Sequence, residues 1–428
     1  MDDQLHDIVE QHGTCAKSFV AFRNSGILTG EDVKERRWRL FEIGRRIANI
    51  RGLTGFGMRF SIHYNLFLNT VSRLGTEKHN DVLVSASTIG CFGLTESENG
   101  AMTGQYNTAT ATFKDGNFTL NAKGGGMKTY VTNADIATHM IVTARLLHGT
   151  SDHGLHAFVV AIRDEHGNMI DGVTNTERES YPITPTLGIS DVEFDNVVIP
   201  YDALLDKHAR FDGDAYECDV GKMNMHVIGD SLLCGRLMIA QCCLTTAMKY
   251  IERVETYATN KRNRNGCLYD IPSVAHVITH HKNELRKTIA LSVAIEHNLC
   301  IDLKNNPTAS FDMSRACAAI KIRSCNVCQD AIRHTSALLG GQYFRSGVQN
   351  MSAWLHVCET VEGSNLVLSQ WLAHSEVKTA PACTSLATTT LKAILYFSSN
   401  PRETWNENIA LVHAVANVAI ENVLNQYT

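Results

Sequence analysis

The spacing of apolar positions changes period twice along the chain. Up to about residue 85 they recur at helical intervals, as in Val33-Lys34-Glu35-Arg36-Arg37-Trp38-Arg39-Leu40-Phe41-Glu42-Ile43-Gly44. A second apolar patch, residues 64–74, runs into Gly75-Thr76-Glu77, a helix stop. From about 88 to 205 the pattern alternates. Thr108-Ala109-Thr110-Ala111-Thr112-Phe113 leads into the turn Lys114-Asp115-Gly116-Asn117 and returns as Phe118-Thr119-Leu120-Asn121-Ala122, a hairpin signature. Further strands are predicted at 140–144, 156–162, 192–194 and 197–199, with Gly167-Asn168 at another turn. Short spaced strands of this kind make a small antiparallel barrel or sandwich. From about 215 the helical period returns, predicting helices at 227–257, 274–303, 309–339, 362–373 and 409–427 that can form an antiparallel bundle. The expectation is an α+β chain, mostly α: an N-terminal helical domain (1–87), a central β domain (88–206) and a C-terminal helical bundle (207–428).

Composition narrows the class. The 428 residues leave room for two or three domains at about 150 residues each. With 44% hydrophobic and 19% charged residues the balance is that of a globular protein. A net charge of -5 argues against nucleic acid, which needs a basic stripe. The longest apolar region, 227–248, is interrupted by Asp230, Arg236 and Gln241, so no membrane span is expected. The start, Met1-Asp2-Asp3, lacks the basic-then-apolar pattern of a secretory signal, and Asn425-Gln426-Tyr427-Thr428 lacks a Ser-Lys-Leu address. These features predict an intracellular, soluble protein of the cytoplasm or an organelle matrix.

The 13 cysteines are scattered, and Cys234, Cys242, Cys243, Cys300 and Cys317 lie in apolar helical contexts, as reduced core thiols do. Cys325-Asn326-Val327-Cys328 is a lone CxxC inside a helical pattern, where i and i+3 share a face; it reads as buried cysteines ahead of a metal or redox pair. His276, His280 and Glu284 also share one helical face, as a metal site or an exposed polar face can. No metal is expected. Lys123-Gly124-Gly125-Gly126 looks like a phosphate cradle but lacks the strand-loop-helix context, and reads as a hairpin connection.

Glu362-Gly363 alone reads as a helix N-terminus, where a carboxylate is stabilised. Four companions change that: Gly90-Cys91-Phe92-Gly93-Leu94-Thr95-Glu96, Lys128-Thr129-Tyr130-Val131-Thr132-Asn133, Asp191 through Pro200, and Leu339-Gly340-Gly341. Together, from Gly75 to about Ala373, the chain resembles the acyl-CoA dehydrogenase and acyl-CoA oxidase superfamily. The resemblance implies that family's fold, with a four-helix bundle at the C-terminal end, and bound FAD. It implies Glu362 as the base that takes the α-proton of an acyl-CoA thioester, with the Glu362 amide helping to hold the carbonyl and Gly363 allowing the turn. It implies flavin contacts at Phe92, Leu94, Thr95, Tyr130 and Thr132, diphosphate contact at Arg262 on a bundle helix, and adenosine-side contact at Gly340 and Gly341. Gly100 and Ala101 match positions that line the acyl-CoA.

The chain departs from the family at Ala101 and Met102, where Ser and an Asp or Asn are usual; at Lys261, where strict spacing places the arginine; and at Tyr343, where a glycine is usual. The chemistry the resemblance implies is coherent. A weakly acidic α-proton needs a placed base and a polarised carbonyl, and the β-hydrogen leaves as hydride, which a flavin accepts and side chains do not. The implied partners are an acyl-CoA substrate, an electron-transfer flavoprotein or oxygen as acceptor, and a second copy in a homodimer or homotetramer. A flavin-dependent monooxygenase on the same fold, or a non-catalytic homologue, are the alternatives.

Overall fold

The computed structural model describes residues 2–11, 15–51, 55–99, 107–179, 187–264, 266–306, 308–345, 348–379 and 385–428. The chain forms two compact units, Met1–Gly235 and Arg236–Thr428.

The first unit opens with helices α1 (Asp2–Gln11), α2 (Cys15–Asn24), α3 (Gly30–Glu35), α4 (Trp38–Arg51), α5 (Gly55–Phe60), α6 (Asn69–Leu74) and α7 (Asn80–Val84). The expected single helix over 33–44 is two. Thr29 caps α3 in a reciprocal box with Asp32, and the chain leaves helical geometry at Arg36 before α4 begins. Between α5 and α6 the turns widen into a π-helix, Ser61–Leu68, which buries His63, Tyr64 and Phe67. His63 Nδ1 accepts the Gly90 amide at 3.0 Å. A Cβ on Gly90 would lie 1.9 Å from the Phe67 ring, so only glycine lets the following strand approach this closely. Gly75 ends α6 as expected.

The β part holds β1 (Gly90–Gly93), β2 (Thr110–Lys114), β3 (Asn117–Ala122), β4 (Lys128–Thr132), β5 (His139–His148), β6 (Ser151–Ala161), β7 (Val173–Glu177) and β8 (Ile189–Pro200). They form one sheet in the order β1-β5-β2-β3-β8-β4, with β6 on β5 and β7 on β8. The β2–β3 hairpin closes through Asp115 and Gly116, both at positive φ, as the Asp-Gly pair requires. The sheet is mixed, which corrects the all-antiparallel expectation: β1 and β2 both join β5 in parallel. The last strand of the order returns to the chain that follows the first. The Thr129 amide donates to the Thr95 carbonyl at 3.0 Å, and Glu96 bridges Lys128 antiparallel. Residues 124–126 are a 3₁₀ turn between β3 and β4; these strands do not pair with each other but both lie on β8, so the expected hairpin is absent. A small ladder, β9 (Ala209–Asp212) with β10 (Ala215–Cys218), a short helix α8 (Met225–Gly229) and a 3₁₀ turn complete the unit.

The second unit is helical: α9 (Leu233–Asn260, which begins just before the unit), α10 (Pro272–Asn305), α11 (Phe311–Thr335), α12 (Gln342–Arg345), α13 (Val348–Thr360), α14 (Asn365–Thr379), α15 (Leu386–Tyr396), α16 (Pro401–Glu407) and α17 (Ile409–Leu424). The helix expected at 362–373 starts at Asn365 instead, because residues 361–364 form a turn. α11 lies at the centre, touching α10, α13, α14 and α17, and it is buried on nearly every face. α9 is tied to its neighbours by Gln241 with Glu296 at 2.7 Å and Tyr250 with Thr335 at 3.2 Å. The stretch 227–260 is long and apolar enough to cross a bilayer, but most of it is buried inside the protein, as a core helix is.

Candidate active site

The predicted site residues gather at two places, one in each unit. In the first, β1 keeps Cys91 and Gly93 inside and leaves Phe92, then Leu94 and Thr95, partly exposed. The next residue, Glu96, turns inward. Its carboxylate accepts Lys128 Nζ at 2.7 Å, the Thr108 amide at 2.7 Å, Thr108 Oγ1 at 2.9 Å and Asn107 Nδ2 at 3.1 Å. Lys128 also donates to the Thr143 carbonyl at 2.6 Å. Both side chains of this ion pair are 0% exposed. Burial opposes ionisation of Glu96, but Lys128 and the converging donors hold its carboxyl below the usual value. The pair ties the Thr95 segment to β4.

β4 presents one residue outward. Lys128, Thr129, Val131 and Thr132 are buried, whereas Tyr130 is 58% exposed. The register with β8 shifts between Lys128 and Val131, and Tyr130 sits in this bulge at φ +56. A bulky residue at positive φ stores strain and persists only where its surroundings fix it. The ring is backed by Arg178, whose Cζ lies 4.3 Å from the centroid. Arg178 is itself fixed by Asp191 at 2.8 Å and Thr129 Oγ1 at 2.6 Å. Asn133, at φ +74, donates to the Arg59 carbonyl at 3.1 Å and accepts from Arg59 Nη1 at 3.1 Å. This end of the sheet offers a rigid aromatic face, two apolar side chains and a hydroxyl, which suits a flat ring with polar edges.

In the second unit, the turn between α13 and α14 carries Glu362 at φ +58 and Gly363 at φ +93. Glycine is the residue that takes the second angle without cost. Arg236, from α9, donates through Nε to the Glu362 carbonyl at 3.1 Å. Lys321, from α11, donates to the Gly363 carbonyl at 2.5 Å. Both cations therefore hold main chain, and the carboxylate stays open: Glu362 Oε2 is shut off from solvent and accepts no hydrogen bond among the described residues. Burial pushes the Glu362 carboxyl up to about 7, with Arg236 and then Lys321 acting against it. A carboxyl that exchanges its proton near neutrality is suited to general-base work.

The remaining candidates fall elsewhere. Arg262 is not on a helix: α9 ends at Asn260, and Arg262 lies exposed on a two-residue ladder opposite Cys267. Lys261 is exposed too. Gly340, at φ +52, and Gly341 are exposed, with nothing within 4 Å of a Cβ added to either. Gly100, Ala101 and Met102 lie outside the described residues. Arg236 and Lys321 escaped the reading of the sequence. Their signal was a charge flanked by apolar neighbours inside a helical run.

Residues 91–197 match the family described as "Acyl-CoA dehydrogenase, middle domain", and residues 225–390 match "Acyl-CoA dehydrogenase, C-terminal domain". An acyl-coenzyme A oxidase of Komagataella pastoris is 27% identical over 276 residues, 60% of this chain and 36% of the relative. A putative peroxisomal acyl-coenzyme A oxidase of Arabidopsis thaliana is 23% identical over 406 residues, 84% of this chain and 59% of the relative. The chain thus spans less than two thirds of the length of these relatives. Among solved structures, an acyl-CoA dehydrogenase of Bacillus anthracis complexed with FAD superposes with a TM-score of 0.74 at 16% identity, covering 100% of this chain and 79% of that one.

Proposed function

This chain belongs to the acyl-CoA dehydrogenase and oxidase superfamily, and from that membership we propose that it is an FAD-dependent oxidoreductase converting an acyl-CoA thioester to the trans-2-enoyl thioester. One observation carries the reading: Glu362 is held by its main chain while Oε2 accepts no hydrogen bond among the described residues. A structural carboxylate in a protein interior finds a partner; one left open has a use.

Glu362 takes the α-proton onto its carboxylate. Its amide points to the role of carbonyl donor, since acidity at the α-carbon needs negative charge on the thioester oxygen to be stabilised. Bound FAD supplies the acceptor for the β-hydrogen as hydride. Tyr130, Phe92 and Leu94 hold the flavin, with Thr95 and Thr132 as hydroxyl donors to it. Gly340 and Gly341 would contact its adenosine side, and Arg262 its diphosphate. Gly100 and Ala101, with Gly363, line the acyl-CoA. The relatives named above are oxidases, which favours oxygen as electron acceptor; an electron-transfer flavoprotein is the second reading. The assembly is proposed to be a homodimer or homotetramer.

The test is the visible spectrum of the FAD-reconstituted protein, recorded anaerobically with a panel of acyl-CoAs. Bleaching by at least one of them supports the reading, and return of colour in air assigns the oxidase branch. A protein that binds no flavin, or whose flavin no acyl-CoA bleaches, overturns it.

A further inference from the structure

Lys321 is an ammonium in the buried middle of α11. It lies in Ala318-Ala319-Ile320-Lys321-Ile322, all buried, and is itself 0% exposed. Burying an ammonium without compensation is costly. Among the described residues it makes no ion pair; its partners are two main-chain carbonyls, Gly363 at 2.5 Å and Glu359 at 3.5 Å. These carbonyls bracket Glu362, one in the last turn of α13 and one just after it. Arg236 takes the carbonyl between them. A non-glycine residue in the left-handed region is strained and persists only when its surroundings fix it. At Glu362 the side chains that hold the turn's carbonyls are these two cations.

We propose that Lys321 is a positioning residue for Glu362: its hydrogen bonds to the Glu359 and Gly363 carbonyls fix the left-handed turn that aims the carboxylate, and its ammonium is one of the two cations set around that turn. The proposal rests on Glu362 as the working carboxylate. The charged or titratable groups around the turn are Arg236 and Cys243 on α9, Lys321 and Cys325 on α11, and Cys358 and Glu359 on α13. Glu359 is engaged elsewhere, by Gln329 Nε2 at 2.6 Å and His356 Nδ1 at 3.5 Å. Arg236 and Lys321 are the cations acting on Glu362 among the described residues. Removing one leaves burial less opposed, so Glu362 holds its proton to higher pH.

Three substitutions separate charge from packing. Lys321→Met keeps the apolar stem and removes donor and charge. Lys321→Gln keeps a donor without charge. Lys321→Arg keeps both. The readout is the titration of the Glu362 carboxyl by difference infrared spectroscopy, its band assigned by its loss in Glu362→Gln; no substrate or turnover is needed. In Lys321→Met, or in Lys321→Gln should the first not fold, the protonated band persists about one pH unit higher than in the parent. Lys321→Arg restores the parent titration. With acyl-CoA present, the acid limb of kcat moves by the same amount while KM is little changed. A folded Lys321→Met or Lys321→Gln whose Glu362 titrates as in the parent overturns the proposal. A shifted titration in a protein that oxidises no acyl-CoA leaves it standing and overturns the proposed function instead.

Discussion

Arg236 Nε donates to the main-chain oxygen of Glu362 at 3.1 Å and not to its carboxylate. The distinction matters chemically. A carboxylate paired head-on with a guanidinium is held well below its usual proton affinity and makes a poor base. Gripping the carbonyl keeps the positive field nearby while Oε2 stays open among the described residues. Arg236→Met should lower kcat by about a hundredfold, the scale of a reacting group misplaced by about 1 Å. KM should change little, because the carbonyl that Arg236 holds belongs to the turn and not to a substrate. Steady-state kinetics on the folded variant checks this.

The raised Glu362 proton affinity has two consequences of opposite sign. With Glu362 as the proposed base, turnover would need the ionised carboxylate, so kcat should rise with pH through about 7 and then level off. Stability runs the other way. The folded protein binds this proton more tightly than the unfolded chain, whose carboxyl has the ordinary value of 4.5. The stability from this group is fully present below about 4.5 and is lost as pH rises through about 7. Glu362→Gln removes that loss, so its melting temperature should gain on the parent between pH 5 and pH 8. A difference constant across that range contradicts the account.

The Glu96–Lys128 pair joins the segment carrying Thr95 to the strand carrying Tyr130. Lys128→Met leaves a buried carboxylate without its counter-charge and should cost about 3–5 kcal/mol. Glu96→Gln combined with Lys128→Met leaves no net charge inside and should recover part of that loss. Denaturant unfolding of the single and double variants measures the difference.

Much of this was legible in the sequence, and what was not has physical causes. The Asp115-Gly116 hairpin is a local signal, because two consecutive positive φ values need those residue types. The parallel partners of β5 are not legible, since β1 and β2 reach it from far along the chain and nothing near them encodes the choice. α13, which delivers Glu362, went unread: Val-Gln-Asn-Met-Ser-Ala-Trp-Leu-His-Val-Cys-Glu-Thr mixes polar and β-branched residues, and tertiary packing of Trp354, Leu355 and Cys358 makes it a helix. Gly363 announced a turn, but the left-handed angle of Glu362 did not show, because glutamate carries no such preference. Arg236 and Lys321 were visible as charges in apolar runs, yet their target is main chain, which no side-chain pattern reveals.

Tyr130 pays for its outward pose in backbone strain, and little of its ring is packed inside the protein. Tyr130→Gly relieves the strain and removes the ring. It should leave the melting temperature of the flavin-free protein no lower than that of the parent, while weakening FAD binding by about tenfold, the scale of one lost aromatic contact. Calorimetry and a flavin-fluorescence titration read the two effects separately.

The central claim is that Glu362 removes the proton that starts the reaction. It is tested most directly by mixing FAD-reconstituted parent and Glu362→Gln proteins with a bleaching acyl-CoA under anaerobic conditions and following the flavin band. The account predicts that the parent bleaches and that Glu362→Gln binds the same FAD, with the same spectrum, but keeps its colour. Bleaching of Glu362→Gln at the parent's rate would contradict it.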